Sequence, residues 1–208
     1  MNEASKAIAR RLHDVRFATR YFVGDGIDVG AGDDSIAQYR EFFPGMRSVR
    51  DWDRPDGDAQ RLAGVPDESF DFVHASHCLE HMRDPVEALH NWFRVLKPGG
   101  HLICMVPDED LYEQGQFPST FNDDHKWTFT LWKAQSWSAR SLNLFDLLQQ
   151  LGPCAQPLKA ELLDATFRFR LPRSDQTLTP VGEAGIEFVI RKRPPQEVAM
   201  HGRLPEAT

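Results

Sequence analysis

The stretch GIDVGAGDDS, Gly26 to Ser35, decides how the rest of the chain is read. A short apolar run ends at Val29, Gly30 and Gly32 follow two positions apart, and a helix-compatible segment begins at Ser35. A strand that turns into a helix over so few residues needs positive φ or a close backbone approach, and glycine permits both. Turns of this kind hold nucleotides, often by their phosphates. Here, however, the turn carries Asp33 and Asp34. A pyrophosphate sits on a helix N-terminus because free N–H groups and the helix dipole favour an anion. Two carboxylates repel it and occupy those N–H groups as caps. A ligand with a nucleoside and a cation has no such conflict.

The dinucleotide fingerprint is G-x-G-x-x-G/A with an acidic residue about 20 positions later for the ribose. Gly30 and Gly32 fit it, Ser35 takes the third place, and Asp51 or Asp53 lies near the right distance. That much alone points to an NAD-dependent oxidoreductase, and Asp33 and Asp34 count against it. S-adenosylmethionine offers a ribose, an adenine, an ammonium, a carboxylate and a sulfonium but no phosphate. Asp28, at the strand end, then reaches the ammonium directly or through water. The plainer alternative leaves Asp28 as a strand-end residue and Asp33 and Asp34 as helix caps.

Outward from the turn, residues 3–21 have the apolar spacing of one amphipathic helix. SIAQYREFF reads as a helix capped by Asp33, Asp34 or Ser35 and stopped by Pro44-Gly45. RSVRDW and FDFVHAS read as strands, and Asp84-Pro85 opens a helix, PVEALHNWFRVL, that KPGG ends as a turn. HLICMVP is an apolar strand of the kind buried on both faces in parallel sheets. SARSLNLFDLLQQLG reads as a capped helix, and AELLDATFRFRL and AGIEFVIRKR as two closing antiparallel strands. The alternation predicts an α/β fold: a Rossmann-like, doubly wound, mostly parallel sheet with a C-terminal antiparallel hairpin. One domain is expected over 1–193, with 108–137 an acceptor-side loop or lid and 194–208 a disordered tail.

The 208 residues carry a net charge of −7, which argues against a nucleic-acid or anionic-membrane partner. Three scattered cysteines without a CxxC pair give neither a disulfide framework nor a zinc knuckle. The N-terminus has no apolar signal core, and no run of about 18 apolar residues is present. A cytoplasmic location is expected, and a homodimer is compatible with the sequence.

Five segments, IDVGAG, GDAQRL, PDESFDFV, CLEHMRDPVEAL and RVLKPGGHLICMVP, occur in order over about residues 26–107. With them the chain resembles the class I S-adenosylmethionine-dependent methyltransferases, in the small-molecule group related to the ubiquinone/menaquinone methyltransferases. The resemblance implies that Asp28, Gly30, Ala31 and Gly32 surround the methionine part of S-adenosylmethionine. It puts the ribose hydroxyls on the acid ending the second strand, Asp53 first and Asp51 second. Asp58 and Ala59 are implied at the adenine, and His74 to Ser76 along the cofactor and acceptor side. Two departures stand out: Asp34 replaces the family's third glycine, and the segment from Asp53 to Phe70 is too short for a helix and a full third strand. The third strand is therefore expected to be shortened or missing.

Methyl transfer to a hydroxyl needs a base, whereas an amine need only be neutral. The candidates are His125, His81, His77 and Asp108, with Asp123 or Asp124 placed to orient His125. His77-x-x-Glu80-His81 also fits the H-x-x-E-H zinc pattern, but the resemblance explains LEH without a metal, and none is expected. Tyr112, Trp127, Phe129 and Trp132 either shape an acceptor pocket or bury the long loop. The expected acceptor is a small molecule or a sugar, methylated at a hydroxyl or amine. Alternatives are a non-catalytic S-adenosylmethionine-binding protein of the same fold and the NAD-dependent oxidoreductase.

Overall fold

The computed structural model describes residues 3–202. Its elements are α1 (Glu3–Leu12), β1 (Gly24–Val29), β2 (Met46–Trp52), β3 (Phe70–Ser76), α2 (Pro85–Arg94), β4 (Leu96–Pro107), β5 (Thr128–Thr130), β6 (Ser141–Asn143), α3 (Leu144–Gln149), β7 (Ala155–Leu163), β8 (Gly185–Lys192) and α4 (Pro195–Ala199). Six strands form one sheet in the order β2-β1-β3-β4-β8-β7. The first four run parallel, and β8 lies antiparallel to both β4 and β7. This is the Rossmann-like sheet with a reversed C-terminal hairpin. In open sheets of this type ligands bind beyond the carboxyl ends of the parallel strands.

Register sets up that end of the sheet. Asp28 of β1 lies beside Asp51 of β2 and His74 of β3. Side chains alternate along a strand, so residues in register point to one face. The third strand of the family is absent: between Trp52 and Phe70 the only helical element is one 3-10 turn, Arg54–Asp56. β2 is therefore a sheet edge, buried only at its first and last residues, Met46 and Trp52. Charged side chains along the strand, such as Arg47 and Arg50, keep such an edge from pairing with another chain.

One buried cluster packs Ile27, Val29, Val73 and Leu102 of the sheet with Leu89 and Trp92 of α2 and Leu147 and Leu148 of α3. A second gathers Ile8, Phe17, Tyr21, Phe22, Ile36 and Phe43 around Phe72, Ile103 and Val189. Trp92 also positions the site, because its buried indole N–H donates to the Ala59 carbonyl at 2.8 Å. Asn91 holds the next carbonyl, that of Gln60, at 3.1 Å.

Several segments differ from their sequence reading. The N-terminal helix stops at Leu12, where Asp14 takes the Arg16 backbone N–H and guanidinium, and a π-helical turn follows at Phe17–Tyr21. A short polar side chain that bonds locally competes with the helix in this way. SIAQYREFF forms a 3-10 helix, Ile36–Phe42, with Ile36 its one buried residue. KPGG is a bulge within β4: Leu96 and His101 oppose Phe70 and Phe72, so the four residues between them face the single Asp71. A side chain at Gly100 would sit 2.7 Å from the Asp71 carbonyl oxygen, which explains the glycine.

The stretch 108–137 is partly structured, with a π-helical turn at Glu109–Glu113 and β5, which pairs in parallel with β6. SARSLN accordingly ends in a strand, and α3 begins only after Asn143, whose side chain caps it. β7 begins at Ala155 and ends at Leu163, whose partner Gly185 is the first residue of β8. The tail expected to be disordered from 194 carries α4, tied back by the Glu197–Arg191 ion pair at 2.8 Å, and 203–208 lie outside the described residues. No described helix is long and apolar enough to cross a membrane.

Candidate active site

The glycine turn is braced from below by a buried polar chain. Asp28 Oδ2 accepts from the Ile36 backbone N–H at 2.7 Å, and Oδ1 lies 2.6 Å from His74 Nδ1. His74 Nε2 in turn lies 3.2 Å from Arg11 Nη1. A guanidinium only donates, so Nε2 accepts and Nδ1–H donates to Asp28. Arg11 is wholly buried and donates from Nε to Glu187 at 2.9 Å. Burial raises the Glu187 pKa, but Arg11, Arg10 and Lys159 outweigh it and hold the carboxyl far below the usual range. Both oxygens of Asp28, expected at the ammonium, are thus engaged within the protein.

Asp34 also has work apart from a ligand. Its carboxylate accepts from the Ser5 N–H at 2.9 Å and from Tyr39 Oη at 2.6 Å, which ties the glycine turn to the start of α1. The N-cap of the following helix is Ser35, whose Oγ accepts from the Ala37 N–H. Asp33 is exposed. Gly30 has φ +74°, and a Cβ there would meet Cys78 Sγ at 2.7 Å. The Cys78 thiol is pushed well up by burial, so it packs as a thiol.

Two cavities open on this turn and share Gly30 and His77. The smaller, about 330 Å³, is lined by Glu3, Asp28, Asp34, His74 and Ser76 among others; among the described residues no Lys or Arg lines it, although Lys6 Nζ pairs with Glu3 Oε1 at 2.6 Å. The larger, about 660 Å³, is lined by Asp53, Asp58, Ala59, Met82, Asp124 and Lys126 among others. Its volume lies in the usual range for small-molecule sites, roughly 300–1,000 Å³.

Of the sequence-derived residues, Asp28, Gly30, Ala31, Gly32, His74 and Ser76 wall the smaller cavity. Asp53, Asp58 and Ala59 wall the larger. Asp53 Oδ2 accepts from the Gly32 N–H at 3.1 Å. Asp51 lines neither cavity and takes the Ser35 hydroxyl. Asp58 is partly engaged, by the Gln60 N–H and Arg83.

The four candidate bases divide. His77 lines both cavities and His81 the larger, whereas His125 and Asp108 line neither. Asp108 caps the turn Glu109–Glu113 through the Asp110 and Leu111 N–H groups, and burial pushes its carboxyl up to about 6. His125 is buried, with Nδ1 2.9 Å from Glu113. Neither Asp123 nor Asp124 orients it: Asp124 instead faces His81 Nδ1 at 3.1 Å. His77 has φ +50° and lies 3.3 Å from Glu80. Burial lowers its pKa, but Glu80 and Glu3 beside it raise it above the ordinary imidazole value.

Sequence reasoning missed Glu3 and Ala4 of α1, which wall the smaller cavity. Glu3 Oε2 is buried without a hydrogen-bond partner, and Ser76 Oγ shares that condition. Nothing local links residue 3 to a turn at residue 30, so no sequence signal marks it.

A family profile described as a methyltransferase domain matches residues 15–152. The chain belongs to the methyltransferase-domain family. A ubiquinone/menaquinone biosynthesis C-methyltransferase of Vibrio vulnificus is 48% identical over 48 residues, which are 23% of this chain and 18% of that one. The chain matches about a fifth of the length of such curated relatives. An Archaeoglobus fulgidus S-adenosylmethionine-dependent methyltransferase shares the fold at TM-score 0.59 and 17% identity, covering 92% of this chain and 95% of that one. A Burkholderia thailandensis 1,6-didemethyltoxoflavin-N1-methyltransferase, solved with S-adenosylhomocysteine, gives TM-score 0.55 at 16% identity over 93% and 80% of the two chains.

As a member of this methyltransferase family the chain takes S-adenosylmethionine as cofactor, and its cavities suit that ligand. The smaller offers Glu3 Oε2 to an ammonium, and among the described residues no Lys or Arg lines it to receive a pyrophosphate. The larger offers Asp53 to a vicinal diol.

Proposed function

We propose that this methyltransferase transfers the methyl group of S-adenosylmethionine to a small acceptor bearing a hydroxyl or amine, with a sugar hydroxyl favoured. The carrying observation is the carboxylate-walled cavity at the glycine turn, lined by no Lys or Arg among the described residues and joined through Gly30 and His77 to the larger one. Bound S-adenosylmethionine supplies an activated methyl carbon for in-line displacement, so positioning provides much of the rate. Gly30, Ala31 and Gly32 give backbone room for the methionine end, with Glu3 beside its ammonium. Asp53 accepts from the ribose hydroxyls, and Asp58 and Ala59 lie at the adenine, held by the Trp92 hydrogen bond to the Ala59 carbonyl.

His77, at the junction of the cavities, stands where an acceptor proton would leave, and it takes precedence over Asp108 and His125 as the base. The structurally similar Burkholderia enzyme was solved with 1,6-didemethyltoxoflavin bound, which supports a small acceptor here. Calorimetry with S-adenosylhomocysteine and with NAD tests the reading: heat with the first alone is expected, and heat with NAD alone overturns it. His77→Ala is expected to keep cofactor binding and lose turnover on a panel of sugar and amine acceptors. Binding without methylated product from any acceptor would favour a non-catalytic role.

A further inference from the structure

We infer that Glu80, His81 and His125 form a binding site for a divalent transition metal of the zinc class in the wall of the larger cavity. One donor atom from each of these residues lies within 4.8 Å of the others. His81 Nε2 and His125 Nε2 each stand 3.9 Å from Glu80 Oε1. Ligands bound tetrahedrally at about 2.1 Å would sit roughly 3.4 Å apart, so each imidazole needs to close on Glu80 by about 0.5 Å, and the two imidazoles, within 4.8 Å of each other, by up to about 1.4 Å.

Three further observations point to a cation. Glu80 is fully buried, and its carboxylate meets only imidazole nitrogens, the nearest His77 Nδ1 at 3.3 Å, with neither oxygen in a well-formed hydrogen bond. A carboxylate so placed is costly unless something pairs with it. Both imidazoles are anchored from behind, His125 by Glu113 at 2.9 Å and His81 by Asp124 Oδ2 and the Asp124 carbonyl, each at 3.1 Å. An acid on Nδ1 fixes the Nδ1–H tautomer and leaves Nε2 as a lone pair, the arrangement that metal-binding histidines use. Finally, among the described residues the carboxylates of Glu80 and Glu113 meet only imidazoles, with no Lys or Arg nitrogen at ion-pair distance.

The backbone holds the set together across 45 residues. The Lys126 and Trp127 N–H groups both donate to the Glu80 carbonyl, at 2.9 and 3.2 Å. Lys126 Nζ donates to the His81 carbonyl at 2.8 Å, and Trp127 Nε1 to that of Met82 at 3.0 Å. Two nitrogens and one carboxylate suit Zn²⁺, with Co²⁺ as a spectroscopic substitute, better than Mg²⁺ or Ca²⁺. Of the three ligands only His81 also lines the larger cavity, so the metal's remaining position is reached from that side.

The test is titration of chelator-treated full-length protein with Zn²⁺ or Co²⁺ alone, read by calorimetry and by the visible absorption of bound Co²⁺. It needs no methyl transfer, so it fails or succeeds apart from the proposed reaction. One metal per chain is expected. Asp124→Ala, which removes the carboxylate behind His81 from a half-exposed position, should weaken binding about 10–100-fold, and His81→Ala by more than that. Circular dichroism and thermal unfolding check that each variant is folded. No stoichiometric binding, or equal affinity in His81→Ala and Asp124→Ala, overturns the site and leaves an ion-pair cluster only.

Discussion

Asp28→Asn replaces one oxygen by an NH₂ at nearly constant shape, and the surroundings leave that group nowhere to point. Placed at Oδ2 it faces the Ile36 N–H, and placed at Oδ1 it faces His74 Nδ1–H. His74 cannot relieve the conflict by moving its proton to Nε2, because Arg11 donates there. Every arrangement leaves a buried donor facing a donor. An unsatisfied buried donor costs about 1–3 kcal/mol, and a charged hydrogen bond contributes about 1.5–3. Taken with their overlap, a loss of about 3 kcal/mol is expected, which for a chain of this size is a fall in Tm of roughly 6–12 °C. Urea or thermal unfolding of the apo protein measures it. A change below about 0.5 kcal/mol would refute the donor bookkeeping and show that Asp28 is not the keystone of the turn.

Asp53→Ala should weaken S-adenosylhomocysteine binding about 10–100-fold through loss of charged hydrogen bonds to the ribose, whereas Asp51→Ala should leave affinity within a few-fold; calorimetry on both decides which acid the cofactor meets. Glu187→Gln strips the charge that balances buried Arg11 and is expected to cost about 3–5 kcal/mol in urea unfolding. Asp108 keeps its proton to about pH 6 in the folded chain but releases it near 3.8 when unfolded. The native state therefore binds more protons between those values, and stability falls as pH rises through them. Asp108→Asn retains an oxygen for the Asp110 and Leu111 N–H groups, so it should flatten this fall and gain on the order of 1 kcal/mol at pH 7.5. Parallel unfolding profiles for wild type and variant would count against the shift.

The sheet was legible because its signals are local and strong. FDFVHAS matches β3 residue for residue, and Asp84 caps α2 as the Asp-Pro pair implies. The count of residues from Asp53 to Phe70 foretold the absent third strand, since too little chain cannot hold a helix and a strand. The errors lie where tertiary bonds outbid local preference. Asp14 breaks the first helix, and pairing of Leu96 and His101 with β3 makes KPGG a bulge within a strand in place of a turn.

The site was legible in part. The residues expected at the glycine turn and the strand ends fall in the cavity walls, Asp51 excepted, since strand register brings them together. Asp51 and Asp53 could not be separated from sequence, because two residues differ by a direction that only the Ser35 hydroxyl reveals. His125 was expected to pair with its neighbours Asp123 or Asp124, yet Glu113, twelve positions away, holds it. Glu3 had no signal at all.

The Asp34 carboxylate joins two things that chemistry keeps separate, the docking of α1 and the shape of the glycine turn. A single acceptor shared in this way makes the two equilibria reciprocal: whatever steadies the turn steadies the helix by the same free energy. If the smaller cavity receives the methionine end, cofactor affinity contains the cost of seating α1, and the ten residues of that helix become a reporter. The exchange rate of the Ser5 amide would then read occupancy of a pocket whose glycines lie some 25 residues further along the chain.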